Sequence, residues 1–151
     1  MSDYIKDIRD KIGHAPLLIP HSVVVVLDGQ NQVLLEERSD DGYFDFPGGA
    51  IDLNETMEEA GARELFEETG IIAEELELLK VYSGEITHYI YANGDEIYGI
   101  DAVYVCRKYH GELKLQPDEV KTLLFASIND MPDRMSKRNK QIIQDLKNKL
   151  K

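Results

Sequence analysis

The stretch from residue 57 to residue 69 constrains the fold most, because signals for both ends of a helix flank an acidic segment. Thr56 followed by Glu59 fits a capping box at the start. Gly70 stands where a left-handed residue commonly ends a helix. We therefore predict a helix over residues 57–69, preceded by a tight glycine loop at residues 46–50.

The acidic and apolar residues of this helix fall on different sides. At about 100° per residue, Glu64, Glu67 and Glu68 share one narrow arc. A second arc suited to packing on a core carries Ala62, Leu65, Phe66 and Thr69. We expect one side to anchor the helix and the other to perform chemistry, because carboxylates this close together need a cation.

The rest of the chain alternates short apolar runs with turn residues, which predicts a mixed sheet flanked by helices. We expect a short helix before Gly13 and a last helix from Ser136. Turns are expected at residues 28–31 and at Asn93-Gly94. Strands are predicted at residues 22–27, 32–37, 78–82, 86–91, 97–107 and 122–126. The length suits one core and no linker is visible, so a single domain over residues 1–151 is expected.

Composition limits the partners. Seventeen Lys and Arg against 29 Asp and Glu give a net charge of −12, which opposes binding to long nucleic acids. The longest apolar run, residues 23–27, is too short to cross a bilayer, and the start of the chain does not resemble a signal peptide. We expect a cytoplasmic protein without a membrane partner. The single cysteine, Cys106, excludes an internal disulfide and is expected in the core.

The acidic segment resembles the signature of the Nudix hydrolase family, Gly-x5-Glu-x7-Arg-Glu-aliphatic-x-Glu-Glu-x-Gly-aliphatic. Every specified position matches: Gly49, Glu55, Arg63, Glu64, Leu65, Glu67, Glu68, Gly70 and Ile71. The resemblance implies the α/β fold class and the Nudix fold, an α/β/α sandwich with a central mixed sheet. It also implies a Mg²⁺-dependent pyrophosphohydrolase that cleaves the diphosphate bond of a nucleoside diphosphate linked to another moiety.

The same resemblance assigns roles within the signature. Glu64, Glu67 and Glu68 would bind Mg²⁺ or Mn²⁺, together with the backbone carbonyl of Gly48. These hard oxygen ligands suit either ion, whereas a calcium-storing EF-hand spaces its ligands along a loop. Arg63 is spaced to pair with a carboxylate and orient it, and Glu55 would serve the same network.

The group that accepts a proton from the attacking water is left open between two residues. Glu64 is the first, because related enzymes use a signature glutamate. Glu119 is the second, because relatives often carry a functional acid just before the corresponding strand. A surface acid in a loop is the alternative interpretation of Glu119.

Candidate substrate-binding residues surround the signature. Gly49 lets the backbone approach a ligand closely. Phe46, with Tyr43 and Phe44, could offer an aromatic surface to a base. Arg38 matches a position from which some relatives reach a phosphate, and an exposed arginine at a strand end is the alternative. Tyr89 lies near a tyrosine of diadenosine polyphosphate hydrolases, and ordinary packing is its alternative.

The range of expected substrates is narrowed mainly by features that the sequence lacks. ADP-ribose pyrophosphatases often carry a downstream proline where Ile86 and Thr87 stand here, which makes ADP-ribose less favoured. The four histidines are scattered and indicate neither a zinc site nor a triad. The expected partner is a small nucleotide: a triphosphate, a dinucleoside polyphosphate or a nucleotide sugar. A homodimer is among the expected states, because dimers are common among relatives.

Two other functions compete with hydrolysis. The first is a noncatalytic domain that senses a nucleotide, against which the complete acidic set argues. The second is isopentenyl diphosphate isomerase, which shares the fold. Its relatives depart from the full signature and need a catalytic cysteine, for which Cys106 is poorly placed.

Overall fold

The computed structural model describes residues 3–116, 118 and 120–151. Within them are three α-helices and a short 3-10 helix: α1 (Asp3–Ile12), α2 (Met57–Thr69), α3 (Lys137–Leu150) and the 3-10 turn Gly84–Thr87. The strands are β1 (Leu17–Val26), β2 (Gln32–Arg38), β3 (Phe44–Asp45), β4 (Gly48–Ala50), β5 (Ile72–Tyr82), β6 (His88–Ile90), β7 (Glu96–His110) and β8 (Val120–Ser127).

The strands form a central mixed sheet and a smaller antiparallel sheet. The central order is β4-β1-β7-β5, with β6 also paired to β7. Strands β1 and β7 run parallel in an unbroken register from Leu17 opposite Ile97 to Val26 opposite Cys106, while β4, β5 and β6 are antiparallel to their neighbours. The second sheet has the order β3-β2-β8. The predicted mixed sheet is confirmed, and the second sheet is an addition to it.

The side chains of β1 point alternately to two buried clusters, one on each face of the central sheet. Val23 and Val25 pack in one buried cluster with Ile142 of α3. Val24 and Val26 pack in another cluster with Leu65 of α2. Because successive strand residues point to opposite faces, α2 and α3 cover opposite sides of the sheet. The predicted α/β/α sandwich is confirmed.

Local sequence signals located the helices well. Helix α2 has the predicted bounds, with the Thr56 and Glu59 capping box in place and Gly70 left-handed at φ 81°. Ser136 caps α3 as predicted, since its side chain accepts a hydrogen bond from the Asn139 amide. Cys106 is buried, as expected. No helix among the described residues is long and apolar enough to cross a membrane.

Strand limits were less well predicted, because they depend on pairing with distant strands. Strands β1 and β5 begin at Leu17 and Ile72, several residues earlier than expected, because both pair along the length of the long strand β7. Residues 84–87 form a 3-10 turn where the start of a strand was expected. Residues 48–50, expected in a loop, form β4 because they pair with β1.

The packing side of α2 differs from the predicted one. Its buried residues are Ala60, Gly61, Leu65 and Thr69, whereas Phe66 is 54 % exposed. A Cβ on Gly61 would lie 2.7 Å from the Ser22 hydroxyl oxygen, so this glycine allows the helix to sit directly on β1. The packing side is therefore rotated towards the acidic arc. Leu65 and Thr69 are buried as predicted, but the expectation that anchoring and chemistry use separate sides was wrong, because Ala60 and Gly61 beside the glutamates are buried too.

Leu65→Ala is expected to lower the free energy of unfolding by about 2–5 kcal/mol, because Leu65 is fully buried and truncation would leave a cavity. Phe66→Ala is the matched control on the neighbouring residue and should cost much less. Urea unfolding of both variants measures the difference. Equal losses would contradict the observed orientation of α2.

Candidate active site

The acidic side of α2 lies against the glycines of β4. The Gly48 amide donates a hydrogen bond to the Glu68 carboxylate at 3.1 Å. Gly49 lies beside Glu64, because a Cβ on Gly49 would lie 2.6 Å from Oε1 of that residue. The two glycines thus allow two signature carboxylates to approach the backbone of a central-sheet strand.

Glu68 has an unfavourable electrostatic environment. Burial raises its pKa far above the usual value for a glutamate, and the neighbouring carboxyl groups of Glu36 and Glu64 raise it further. Without a cation, the neutral form of Glu68 is therefore favoured at neutral pH. A divalent ion would compensate both causes, because it supplies positive charge and binds carboxylate oxygens directly. The donor set fits Mg²⁺ or Mn²⁺.

Arg63 joins several carboxylates beside this cluster. Its Nε and Nη2 atoms donate to the two oxygens of Glu55 at 2.6 and 2.9 Å. Its Nη1 atom donates to Glu64 at 2.9 Å and to Glu67 at 3.4 Å. Glu59, four residues before Arg63, serves the helix cap instead. Arg63 therefore orients Glu55 and Glu64 most strongly.

These pairings determine how a metal could be accepted. In the part of the chain that the structure describes, no three acidic, histidine or cysteine side chains already surround one point closely enough to hold a metal. Glu64 and Glu67 are turned towards Arg63, and the Glu67 side chain is 57 % exposed. For Glu67 to join Glu68 in holding a metal, its side chain would have to turn towards Glu68, which its exposure permits.

Two open clefts meet at Gly48 and Glu68, which line both of them. The first, of about 740 Å³, extends over the α3 side of the sheet towards Tyr89 and Tyr91. The second, of about 1340 Å³, contains Arg63, Glu64 and Glu67. Residues that line both clefts are His21, Gly48, Gly49, Glu68, Tyr91, Ile97 and Asp118. A ligand in the first cleft would reach the acidic cluster at its end.

Four of the predicted substrate-binding residues line the first cleft, and one of them is already paired with an acid. Gly49 and Tyr89 line the first cleft, and the Tyr89 ring meets Tyr91 edge-on at 4.8 Å. Arg38 also lies there, but it pairs with Asp40 through two hydrogen bonds of 3.1 and 2.7 Å. Its charge is thus partly neutralised before any ligand binds.

Phe46 is only 3 % exposed and belongs to the core cluster beneath the cleft. Phe46 is also one of the residues that line the first cleft, so its contact with a base stays a prediction. Glu119, the second candidate for the proton acceptor, lies outside the described residues.

A polar network in the first cleft was not predicted from the sequence. Asp101 accepts hydrogen bonds from His21 and Arg138 at 2.7 and 2.8 Å, and Arg138 also reaches Asp45 and Asn139. The available signal was a charged residue within the otherwise apolar run of β7. It could not identify the partners, because only the β1 and β7 register brings His21 beside Asp101.

Comparison with known proteins identifies the class. The NUDIX domain family model matches residues 18–146. An ADP-ribose pyrophosphatase of Methanocaldococcus jannaschii is 32 % identical over 123 residues, covering 80 % of this chain and 68 % of the relative. A putative 8-oxo-dGTP diphosphatase of Bacillus subtilis is 49 % identical over 47 residues, covering 31 % of this chain and 32 % of the relative. The chain belongs to the Nudix family.

Solved structures agree with the fold. A MutT Nudix hydrolase from Burkholderia pseudomallei has a TM-score of 0.74 at 25 % identity, covering 86 % of this chain and 98 % of the other. A MutT protein from Methanosarcina mazei Go1 has the same TM-score at 19 % identity, covering 91 % and 98 %. The protein is a Nudix hydrolase of the pyrophosphohydrolase group, and such enzymes generally use a divalent metal ion.

Proposed function

We propose that this hydrolase cleaves the diphosphate bond of a nucleoside diphosphate linked to another moiety, with Mg²⁺ or Mn²⁺ held by Glu64, Glu67, Glu68 and the Gly48 carbonyl. The observation that carries the proposal is the burial of Glu68 between the Gly48 backbone and two further carboxyl groups. Such a cluster is stable in its charged form only with a cation.

The bound metal would screen the diphosphate charge and lower the pKa of a coordinated water. Water attacks one phosphorus, the bridging P–O bond breaks, and the other phosphate leaves with the bridging oxygen. Glu64 or Glu119 accepts the proton of the attacking water. Arg63 holds Glu64 and Glu55 in place, so its role is positioning.

The substrate class follows from the clefts and the charge. The tyrosines of the first cleft suit a nucleobase, and the acidic end suits a metal-bound diphosphate. A net charge of −12 favours small nucleotides over long nucleic acids. Because the M. jannaschii relative is named an ADP-ribose pyrophosphatase, ADP-ribose stays among the substrates to test.

A substrate panel with product identification tests the function. It should contain nucleoside triphosphates, dinucleoside polyphosphates, nucleotide sugars, ADP-ribose and 5′-triphosphate RNA, each with Mg²⁺, Mn²⁺ or EDTA. Wild type is expected to release nucleotide only with metal, and Glu67→Gln should lose about a hundredfold or more in rate. Glu75→Gln, which changes an exposed acid of β5, is the control.

Two outcomes would change this proposal. Nucleotide binding without hydrolysis of any panel member would favour the noncatalytic sensor. Full activity of Glu67→Gln would remove Glu67 from the metal site. Within an active enzyme, the rates of Glu64→Gln and Glu119→Gln decide between the two proton acceptors, because the true base should show the larger loss.

A further inference from the structure

A hydrogen bond joins half-buried His21 to buried Asp101, and both residues line the first cleft. His21 and Asp101 are direct partners in the β1 and β7 register, and His21 Nδ1 lies 2.7 Å from Asp101 Oδ1. Asp101 is only 2 % exposed. Its second oxygen accepts a hydrogen bond from Arg138 Nη1 at 2.8 Å. Both oxygens of this carboxyl group are thus occupied by fixed donors.

The negative charge of Asp101 determines which ring nitrogen of His21 carries the proton. Burial raises the pKa of Asp101, but the hydrogen bond from His21 and the charge of Arg138 outweigh burial and leave the pKa below its usual value. An ionised carboxylate can only accept hydrogen bonds, so the His21 proton sits on Nδ1. In the neutral ring, Nε2 is then an acceptor.

The acceptor atom of His21 is available to a ligand. Nε2 makes no hydrogen bond to any residue that the structure describes, and the ring lines both clefts. A phosphate that carries no proton cannot donate to this atom, whereas a hydroxyl group can. A ring that carries its one proton on Nδ1 therefore pairs through Nε2 with a hydroxyl group rather than with an unprotonated phosphate.

The location of His21 indicates which donor. His21, Tyr89 and Gly48 all line the first cleft. Tyr89 pairs with Ile97, which lies opposite Leu17 of β1. Gly48 pairs with Val23 of β1, so His21 lies between the level of Tyr89 and the proposed metal-binding end. A nucleotide with its base at the tyrosines and its diphosphate at that end places its sugar between them. We propose that His21 accepts a hydrogen bond from a sugar hydroxyl of the bound nucleotide, and that Asp101 is the positioning residue. This inference relies on the proposed function for the position of the diphosphate.

Calorimetric titration with ADP, UDP and inorganic pyrophosphate, each with Mg²⁺, tests the proposal. His21→Ala should weaken ADP and UDP binding by about tenfold, the value of one hydrogen bond of about 1.4 kcal/mol. Pyrophosphate binding should not change, because pyrophosphate has no sugar. His21→Gln, whose amide oxygen can replace Nε2 as acceptor, should recover most of the affinity. His110→Ala, at the exposed end of β7, is the control.

Several results would overturn the assignment. These are unchanged ADP affinity in a folded His21→Ala variant, an equal loss for pyrophosphate, a loss with only one of the two bases, no rescue by His21→Gln, or no binding of ADP and UDP by wild type. The proposed function is judged separately by the substrate panel. If wild type binds ADP but hydrolyses nothing, hydrolysis is rejected while the His21 contact is still measured.

Discussion

Glu68→Gln is expected to lower the hydrolysis rate by about a hundredfold to a thousandfold and to abolish thermal stabilisation by Mg²⁺. Glu68 is a half-buried carboxyl group of the signature, and it meets Gly48, Glu36 and Glu64. Glutamine keeps the shape and can still accept the Gly48 hydrogen bond. It cannot supply the negative charge that holds a divalent ion.

The same variant should change the pH dependence of stability in metal-free protein. The folded-state pKa of Glu68 is raised, so the unfolded chain releases this proton at lower pH than the folded chain. The contribution of neutral Glu68 to the free energy of unfolding is fully present below the ordinary glutamate pKa of about 4.3. It decreases as the pH rises from there towards the pKa of Glu68 in the folded protein. Glu68→Gln removes this slope.

Thermal unfolding in EDTA at pH 6 and pH 8.5 measures the difference. Wild type should lose more stability between these values than Glu68→Gln does, while the control Glu75→Gln should follow wild type. Addition of Mg²⁺ should then stabilise wild type and the control, but not Glu68→Gln. Equal pH slopes in metal-free protein, or an unchanged Mg²⁺ response, would contradict the assigned environment of Glu68.

Local signals explain what the sequence could predict. The bounds of α2 follow from Thr56, Glu59 and Gly70, which all act within one turn of the helix ends. The buried strand β7 follows from its long apolar run. The signature residues are also close in the chain, so the contact of Arg63 with Glu67, four residues later, needed only helix geometry.

Features that depend on distant packing could not be predicted. Helical angles gave the spacing of Leu65 and Phe66 but not the direction of the sheet, which is determined by the approach of Gly61 to Ser22. Likewise, His21 and Asp101 are separated by a long stretch of chain and meet only through the parallel register of β1 and β7. The first cleft is formed by such distant pairings, so much of its lining was not predicted.

Gly49→Ala is expected to reduce hydrolysis by about a hundredfold with little change in the free energy of unfolding. The added Cβ would lie 2.6 Å from the Glu64 carboxylate, which is closer than real contacts allow. The backbone of Gly49 is not left-handed, so alanine itself causes no strain there. The Glu64 side chain must therefore move, and a displacement of about 1 Å at a reacting group can cost that much in rate.

Substitution of the neighbouring glycine, Gly48, should act mainly on stability. A Cβ on Gly48 would lie 2.5 Å from the Ser22 carbonyl oxygen and 2.9 Å from the Val23 Cα atom, and neither backbone atom can turn aside. Gly48→Ala should therefore lower stability by about 1–3 kcal/mol by separating β4 from β1. Gly29→Ala, which meets nothing within 4 Å, is the control for both variants. Paired measurements of urea unfolding and hydrolysis rate test this contrast. A stability loss in Gly49→Ala as large as that in Gly48→Ala would show that Gly49 supports the sheet rather than the position of Glu64.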